Sequence, residues 1–100
     1  MSAGRYAPSP TGDLHLGNLR TALLAWLAAR AERRALLLRY EDLDAGRTVP
    51  GSAERQRADL ESLGITFDTE VLLQSQRHTI YDDAVSELRS RGLVYECFCT

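Results

Sequence analysis

A proline-rich run near the start of the chain, residues 5–18 (RYAPSPTGDLHLGN), leads directly into apolar residues with helical spacing. Pro8 and Pro10 prevent a strand from continuing and a helix from starting. A short strand over residues 3–7 must therefore end in an irregular turn before the helix begins. This order of strand, turn and helix is the feature that most constrains how the chain folds.

Small and polar residues in the turn suit the binding of a ligand. Gly12 and Gly17 allow the backbone to approach a flat or charged ligand closely. The following helix directs its N-terminus at the same place, where amides without partners and a partial positive charge suit a phosphate. His15 adds a donor for a phosphate oxygen or a base. The run is therefore typical of a nucleotide-binding turn, although a plain loop between a strand and a helix has a similar composition.

Apolar periodicity places the other elements along the chain. The leucines and Trp26 of residues 16–33 predict an amphipathic, well-buried helix, and the apolar run 35–40 predicts a buried parallel strand joined to the first by a right-handed crossover. A second helix is predicted over 53–63 and a third over 78–91, each followed by a glycine stop. Residues 65–73 are expected to be irregular or weakly extended, and 93–98 to form a strand.

Alternating strands and helices indicate an α/β fold, in which ligands gather at the carboxyl ends of parallel strands. The second predicted strand ends in three carboxylates within four positions, Glu41 to Asp44. Such a cluster suits an ammonium group, but a solvated acidic turn has the same pattern. Arg5 precedes the first turn, where a bidentate grip on a carboxylate is one use of its guanidinium and a surface position at a strand edge is the other.

Composition limits the number of domains, the cellular compartment and the kinds of partner that we expect for this chain. One hundred residues, 44% of them hydrophobic, suggest one globular unit, and no apolar run approaches the roughly 20 residues that span a bilayer. With no basic leader followed by an apolar core, a cytosolic protein without a membrane partner is expected. The net charge of −2 gives no sign of nucleic-acid binding, so any RNA contact must come from a local patch or from outside these residues.

Two cysteines, Cys97 and Cys99, flank Phe98 close to the end of the sequence. A cytosolic setting argues against a disulfide between them. Two thiolates at this spacing are half of a tetrahedral zinc site, although the pair alone is weak evidence and the chain offers no further ligand beside it. His78 is expected to face solvent at a helix start.

The motif Pro-Ser-Pro-Thr-Gly-Asp-Leu-His-Leu-Gly of residues 8–17 resembles the first signature of class I aminoacyl-tRNA synthetases, in the form found in the glutamyl and glutaminyl branch. Asn18 replaces the final histidine of that signature, and the branch often has a small or polar residue there. The resemblance covers residues 5–100. It implies the N-terminal portion of a Rossmann-like catalytic domain that reaches the start of a zinc-binding insertion at 95–100.

The resemblance also implies roles for individual residues. Arg5, together with Ala7 and Ser9, corresponds to the wall that recognises L-glutamate, and Glu41 of the Arg-x-Glu-Asp-x-Asp motif corresponds to the ligand of its α-amino group. His15 and Gly17 take the catalytic positions. The nucleotide side comprises Pro8, Ser9, Pro10, Thr11, Gly12, His15, Gly17 and Asn18. Many relatives share Cys97 and Cys99 and take two more zinc ligands from further downstream.

The implied reaction activates glutamate with ATP and Mg²⁺ to give glutamyl-adenylate and pyrophosphate. All twelve basic residues are arginine, so the lysine-containing second signature of the family cannot lie in this sequence, and a fragment that is inactive by itself is expected. This catalysis would depend on positioning and charge stabilisation, without a covalent nucleophile.

Within the branch, Glu41-Asp-Leu-Asp44, the segment Gln74 to His78 and the ending Tyr95 to Thr100 favour a shortened paralogue. That paralogue lacks an anticodon-binding domain and transfers glutamate to the queuosine base in the anticodon of tRNA(Asp). Three alternatives remain open. They are an ordinary synthetase that charges the 3′ end of tRNA(Glu), a nucleotidylyltransferase of the same superfold, and an excised structural or zinc-associated segment without activity.

Overall fold

A computed structural model describes residues 2–100 of the chain. Three strands form one parallel sheet in the order β1-β2-β3, with Gly4 opposite Leu36 and Arg39 opposite Leu72. The mixed α/β architecture predicted from the sequence is confirmed. In chain order the elements are β1 (Gly4–Tyr6), α1 (Leu16–Ala31), β2 (Leu36–Tyr40), α2 (Ser52–Ser62), β3 (Leu72–Leu73), a 3-10 turn (Gln74–Gln76) and α3 (His78–Ser90).

The core lies against one face of the sheet. Along β2 the buried residues alternate, as the pleat of a strand requires, and Leu36, Leu38 and Tyr40 point to the same side. Leu60 of α2 and Ile65 just after it are also fully buried. The complete buried apolar set is Tyr6, Ala22, Ala29, Leu36, Leu38, Tyr40, Leu60 and Ile65.

Two buried tyrosines join the strands to the starts of the helices. The Tyr6 hydroxyl donates to the Asn18 carbonyl at 3.3 Å, and the Tyr40 hydroxyl donates to the Ala53 carbonyl at 2.8 Å. Burial disfavours the phenolate and raises the pKa of Tyr40 to about 12. Each tyrosine therefore remains a neutral donor and fixes the first turn of a helix against the end of a strand.

Helix α1 occupies the predicted position but is less buried than predicted. Only Ala22 and Ala29 are buried along it, whereas Leu16 is 82% exposed and Leu24 is 50% exposed. The prediction of a well-buried helix was wrong because the leucines extend around more than one side of α1. Small alanines face the sheet and let the helix approach it closely.

The Asp68 side chain connects the end of α1 to the start of β2. Arg30 Nη1 lies 2.8 Å from Asp68 Oδ2, and the same carboxylate oxygen accepts the Leu36 amide at 2.7 Å. These two contacts hold the pKa of Asp68 below its usual range, with the bond from Arg30 as the larger cause. The carboxylate of Asp68 therefore binds the helix and the central strand together.

The two glycine stops are confirmed. Gly64 follows α2 with φ +80° and Gly92 follows α3 with φ +68°, a region of backbone conformation that glycine adopts without a steric penalty. None of the helices within residues 2–100 is long and apolar enough to cross a membrane.

Two strand predictions differ from the structure. Residues 93–98 form no strand, and Tyr95 and Phe98 are 86% and 87% exposed. β3, which pairs with β2, lies in the segment that was expected to be irregular or weakly extended. A strand depends on a partner as well as on apolar residues, and of these two segments only residues 72–73 pair with another strand within residues 2–100.

Candidate active site

A cleft of about 540 Å³ opens where β1 ends and α1 begins. The carboxyl ends of β1 and β2 lie side by side, so the turn after β1 and the acidic segment after β2 are neighbours, as predicted. The residues that line the cleft are Tyr6, Ala7, Pro8, Ser9, Thr11, Gly12, Asp13, Leu14, His15, Asn18, Arg47 and Gln56.

His15 is the N-cap of α1. Its Nδ1 accepts the amides of Gly17 at 3.0 Å and Asn18 at 3.3 Å, while the Asn18 side chain accepts the His15 amide at 3.1 Å. The expectation that the amides at this helix start lack partners was therefore wrong for Gly17 and Asn18. In the neutral imidazole the accepting Nδ1 leaves the proton on Nε2, which becomes the available donor.

The absence of a side chain at Gly17 is required by His15. A Cβ built on Gly17 would lie 2.9 Å from Cε1 and 3.1 Å from Nδ1 of the imidazole. The glycine is needed here for close approach of a side chain, because its φ is not in the left-handed region.

Backbone hydrogen bonds fix the turn between β1 and α1. The Pro8 carbonyl accepts the Glu41 amide at 3.0 Å, and the Pro10 carbonyl accepts the Val49 amide at 2.9 Å. Gly12 has φ +154°, a conformation that side chains disfavour. The segment that follows β2 thus holds the turn along its length.

The acidic segment borders a second, smaller cavity of about 70 Å³, lined by Ser9, Thr11, Glu41, Asp44, Arg47 and Thr48. Glu41 Oε1 lies 2.7 Å from Arg39 Nη2. Ser9, Thr11 and Arg47 line both cavities, so the Glu41 carboxylate adjoins the cleft that His15 borders.

Asp42 holds the acidic segment in place. Its carboxylate accepts the Ser75 amide at 2.8 Å and the Ser75 hydroxyl at 2.6 Å. Desolvation alone would raise the pKa of Asp42, but the bonds from Ser75 outweigh it and the pKa lies below its usual range. The 3-10 turn therefore anchors the residue next to Glu41.

Arg5 does not line the cleft near His15. Its side chain borders a separate cavity of about 150 Å³ with Leu37, Leu38, Arg39, Thr69, Glu70 and Leu72. Strand alternation explains this placement, because Arg5 and the buried Tyr6 point to opposite faces of the sheet. A role for Arg5 in recognising glutamate stays a prediction.

Among the residues near the cleft that sequence reasoning missed are Arg47, Ser52 and Gln56. Arg47 lines both cavities without a side-chain hydrogen bond or ion pair within residues 2–100. Ser52 and Gln56 are buried and bond to the turn. The signal for this pair was their spacing, since Ser52 lies eight and Gln56 four residues before Leu60, which places all three on one face of α2.

Cys97 and Cys99 are exposed free thiols that lie close together. Hydrogen bonds from the backbone and the thiol of Cys99 hold the pKa of Cys97 below its usual value. The pair suits a soft divalent metal, but no group of three or more His, Cys, Asp or Glu side chains within the described residues could hold a metal ion.

Comparison with known proteins places this geometry in a family. A family model described as tRNA synthetases class I (E and Q), catalytic domain, matches residues 3–100. The chain is 63% identical over 98 residues to glutamyl-Q tRNA(Asp) synthetase from Nocardia farcinica, covering 98% of the chain and 31% of that protein. It is 50% identical over 97 residues to the enzyme of the same name from Escherichia coli K12, covering 97% of the chain and 32% of that protein.

Solved structures give the same result. A glutamate tRNA ligase from Elizabethkingia meningosepticum, in complex with its amino acid, matches with a TM-score of 0.82 and 41% identity. The match covers 86% of this chain and 19% of that one. A parallel sheet with a cleft at its carboxyl ends and a helix start beside it is the arrangement in which α/β domains bind their ligands. The chain belongs to the catalytic domain of the class I tRNA synthetases of the E and Q group. It spans about a third of the length of the curated relatives it matches.

Proposed function

We propose that the full-length protein activates L-glutamate with ATP and transfers it to the queuosine base in the anticodon of tRNA(Asp). The observation that carries this proposal is the 63% identity with the glutamyl-Q tRNA(Asp) synthetase of Nocardia farcinica, over an alignment that covers 98% of the chain. An amino-acid substrate also accords with the juxtaposition of a carboxylate, Glu41, and a cleft bordered by His15.

Activation is the transfer of the adenylyl group of ATP to the α-carboxylate of glutamate. An α-carboxylate oxygen of glutamate attacks the α-phosphorus of ATP, the bond from that phosphorus to the bridging oxygen breaks, and pyrophosphate leaves with the electron pair. When bound with ATP, Mg²⁺ would supply positive charge to the phosphates. Because no covalent enzyme intermediate is needed, the protein contributes orientation and donors that stabilise the developing charge.

The nucleotide side of this site is the turn between β1 and α1. The Nε2 proton of His15 is the donor for a phosphate oxygen, and Gly17 leaves room for the imidazole that provides it. The backbone of the turn and Asn18 line the rest of the nucleotide side of the cleft. The residues assigned to ATP are Pro8, Ser9, Pro10, Thr11, Gly12, His15, Gly17 and Asn18.

The amino-acid side is centred on Glu41, whose carboxylate would bind the α-ammonium group of glutamate. Arg39 now pairs with that carboxylate at 2.7 Å, so the substrate ammonium must share Glu41 with a guanidinium. Ala7 and Ser9 form the adjacent wall. Arg5 is assigned to the side-chain carboxylate of glutamate, from the sheet face next to Arg39.

Zinc is assigned to Cys97 and Cys99. The two cysteines are separated by one residue and both are exposed, which fits half of a tetrahedral site, and two further ligands would come from outside these residues. The metal would supply structural cross-linking of this segment.

The test measures activation and transfer separately in the full-length natural protein. ATP/pyrophosphate exchange with glutamate and no tRNA should proceed. Labelled glutamate should then be transferred to tRNA(Asp) that contains queuosine, and also to the same tRNA without its 3′-terminal adenosine. Unmodified tRNA(Asp) is the matched control and should accept none.

An ordinary glutamyl-tRNA synthetase is the second candidate, favoured by the structural match to glutamate tRNA ligases. It predicts the opposite pattern, in which exchange depends strictly on tRNA(Glu) and labelling disappears when the terminal adenosine is removed. That pattern would overturn transfer to queuosine while leaving glutamate activation in place.

A further inference from the structure

Helix α2 grips the turn of the candidate active site with two buried polar side chains. The Ser52 hydroxyl accepts the Gly12 amide at 3.1 Å and donates to the Gly12 carbonyl at 2.8 Å. One helical turn later, Gln56 Nε2 donates to the carbonyls of Ser9 at 3.1 Å and Gly12 at 2.8 Å. Four hydrogen bonds thus connect one helix face to the backbone of the turn.

The burial of these two side chains needs an explanation. Ser52 is 0% exposed and Gln56 is 2% exposed, and Leu60 continues the same face as an ordinary apolar core residue. The Gln56 Oε1 atom has no hydrogen-bond partner within the described part of the chain, which makes a buried amide costly. The buried amide of Gln56 offsets this cost with its two hydrogen bonds to the turn.

The backbone of the turn is held by hydrogen bonds at Gly12. Its φ of +154° is open to glycine and disfavoured for other residues, and a Cβ built there would meet nothing within 4 Å. Because glycine reaches many other conformations at little cost, contacts from neighbouring groups select this one. Ser52 fixes both the amide and the carbonyl of Gly12, and the exposed ion pair between Arg55 Nε and Asp13 Oδ1 at 2.8 Å adds a contact at the next residue.

We propose that Ser52 and Gln56 are positioning residues for the nucleotide. They act through Gly12 and Ser9 and set the shape of the turn that precedes His15. The inference rests on the proposed function, because it assigns the pair a part in ATP binding. It identifies the start of α2 as a third structural support of the site, beside the two strand ends.

The first test is Ser52→Ala in the full-length natural protein. This change removes the two Ser52 bonds to Gly12 and involves no contact with Arg5 on β1 or with Glu41 just after β2. In ATP/pyrophosphate exchange we expect KM for ATP to rise about tenfold, or about 1.4 kcal/mol. KM for glutamate and kcat should stay within about twofold of the wild-type values, the pattern of lost ground-state binding.

Ser62→Ala is the matched control on the same helix. Its hydroxyl is exposed and bonds only to the Asp59 carbonyl at 2.7 Å, so KM for ATP should not change. Gln56→Met keeps the length of the side chain but removes the donor, and it should also raise KM for ATP. If Gln56→Met unfolds at the assay temperature, Ser52→Ala decides, because it removes a single oxygen atom.

Hydrogen exchange at the Gly12 amide gives a readout that does not depend on activity. Ser52→Ala should speed this exchange in the absence of ligands, and Ser62→Ala should not. The proposal is overturned if Gly12 exchange and KM for ATP are both unchanged, or if KM for ATP and KM for glutamate rise equally. If the wild-type protein shows no glutamate-dependent exchange of pyrophosphate, the proposed function fails, and the Gly12 exchange rate still tests the grip of α2 on the turn.

Discussion

His15 Nδ1 accepts the Gly17 amide at 3.0 Å, so the imidazole caps the helix whose N-terminus it borders. This single contact has one effect on stability and one on the protonation of the imidazole. It stabilises the first turn of α1 and, by occupying Nδ1 as an acceptor, assigns the proton to Nε2. The capping and the donor function of His15 can therefore be separated by substitution.

His15→Asn should separate them. Asparagine is a good N-cap residue, so the free energy of unfolding should stay within about 0.5 kcal/mol of the wild-type value. The donor at Nε2 is lost, and the rate of ATP/pyrophosphate exchange should fall about 100-fold, as expected for removal of one donor to developing charge. Urea unfolding and exchange kinetics of the full-length protein measure the two effects. A large loss of stability with normal exchange would contradict the assignment.

Gly17→Ala should inactivate the site even though alanine favours helices. The new Cβ would lie 2.9 Å from His15 Cε1 and would displace the imidazole. We expect exchange activity to fall at least about tenfold, in proportion to the loss of the oriented donor. Gly46→Ala is the control, since a Cβ there meets only Asp44 Oδ1 at an ordinary 3.5 Å. Equal activity of the two variants would exclude a steric requirement at Gly17.

Glu41→Gln should weaken glutamate binding selectively. Removing the charge removes a charge-assisted hydrogen bond to the substrate ammonium, worth about 1.5–3 kcal/mol, and KM for glutamate should rise about 10- to 100-fold. KM for ATP should stay near the wild-type value. Glu61→Gln is the control, because Glu61 also pairs with an arginine but lies exposed on α2. A rise in KM for ATP alone would contradict the role given to Glu41.

Acid should weaken the contacts by which Asp68 connects α1 to β2. Because Arg30 and the Leu36 amide lower the folded-state pKa, the stabilisation is complete above the unfolded pKa of about 3.9 and is lost as pH falls through the lower folded value. Asp68→Asn should therefore lower Tm by a constant amount at neutral pH, and the difference should shrink below about pH 4. Asp59→Asn, at an exposed position without an ion pair within the described residues, should show no such trend. A difference that grows in acid would contradict the sign.

Zinc content should depend on the cysteine pair. The full-length protein should bind about one zinc ion per chain, and Cys97→Ser or Cys99→Ser should remove most of it, since two of four ligands come from this pair. Elemental analysis by mass spectrometry measures the metal directly. His78→Gln should retain zinc, because His78 is exposed at the start of α3. Retention of zinc in both serine variants would exclude the site.

Local chemistry made several elements predictable. Pro8 and Pro10 end β1, and Gly64 and Gly92 end two helices, because each acts through its own backbone conformation. The boundaries of α1 and β2 followed from apolar spacing to within two residues. The helix start at His15 was also local, since the cap bonds only to the next three residues.

Distant contacts made the rest unpredictable. β3 exists because Leu72 pairs with Arg39, 33 positions earlier, and residues 93–98 have equally apolar character but no strand beside them. The bonds of Gln56 to the turn span more than 40 positions, so nothing near Gln56 reveals them. Arg5 is separated from the cleft because side chains alternate along a strand. The sequence does not reveal which side chain of β1 faces the core, and in the structure it is Tyr6.

The unequal lengths of the three strands also affect how the molecule associates. β2 has five residues and is paired on both sides, whereas the outer strands β1 and β3 have three and two residues. An open strand edge recruits other chains through its row of free backbone groups, and short edges present few of them. Within residues 2–100 the two edges therefore offer little free backbone for edge-to-edge pairing, and exposed apolar side chains such as Phe98 offer more surface for nonspecific contact.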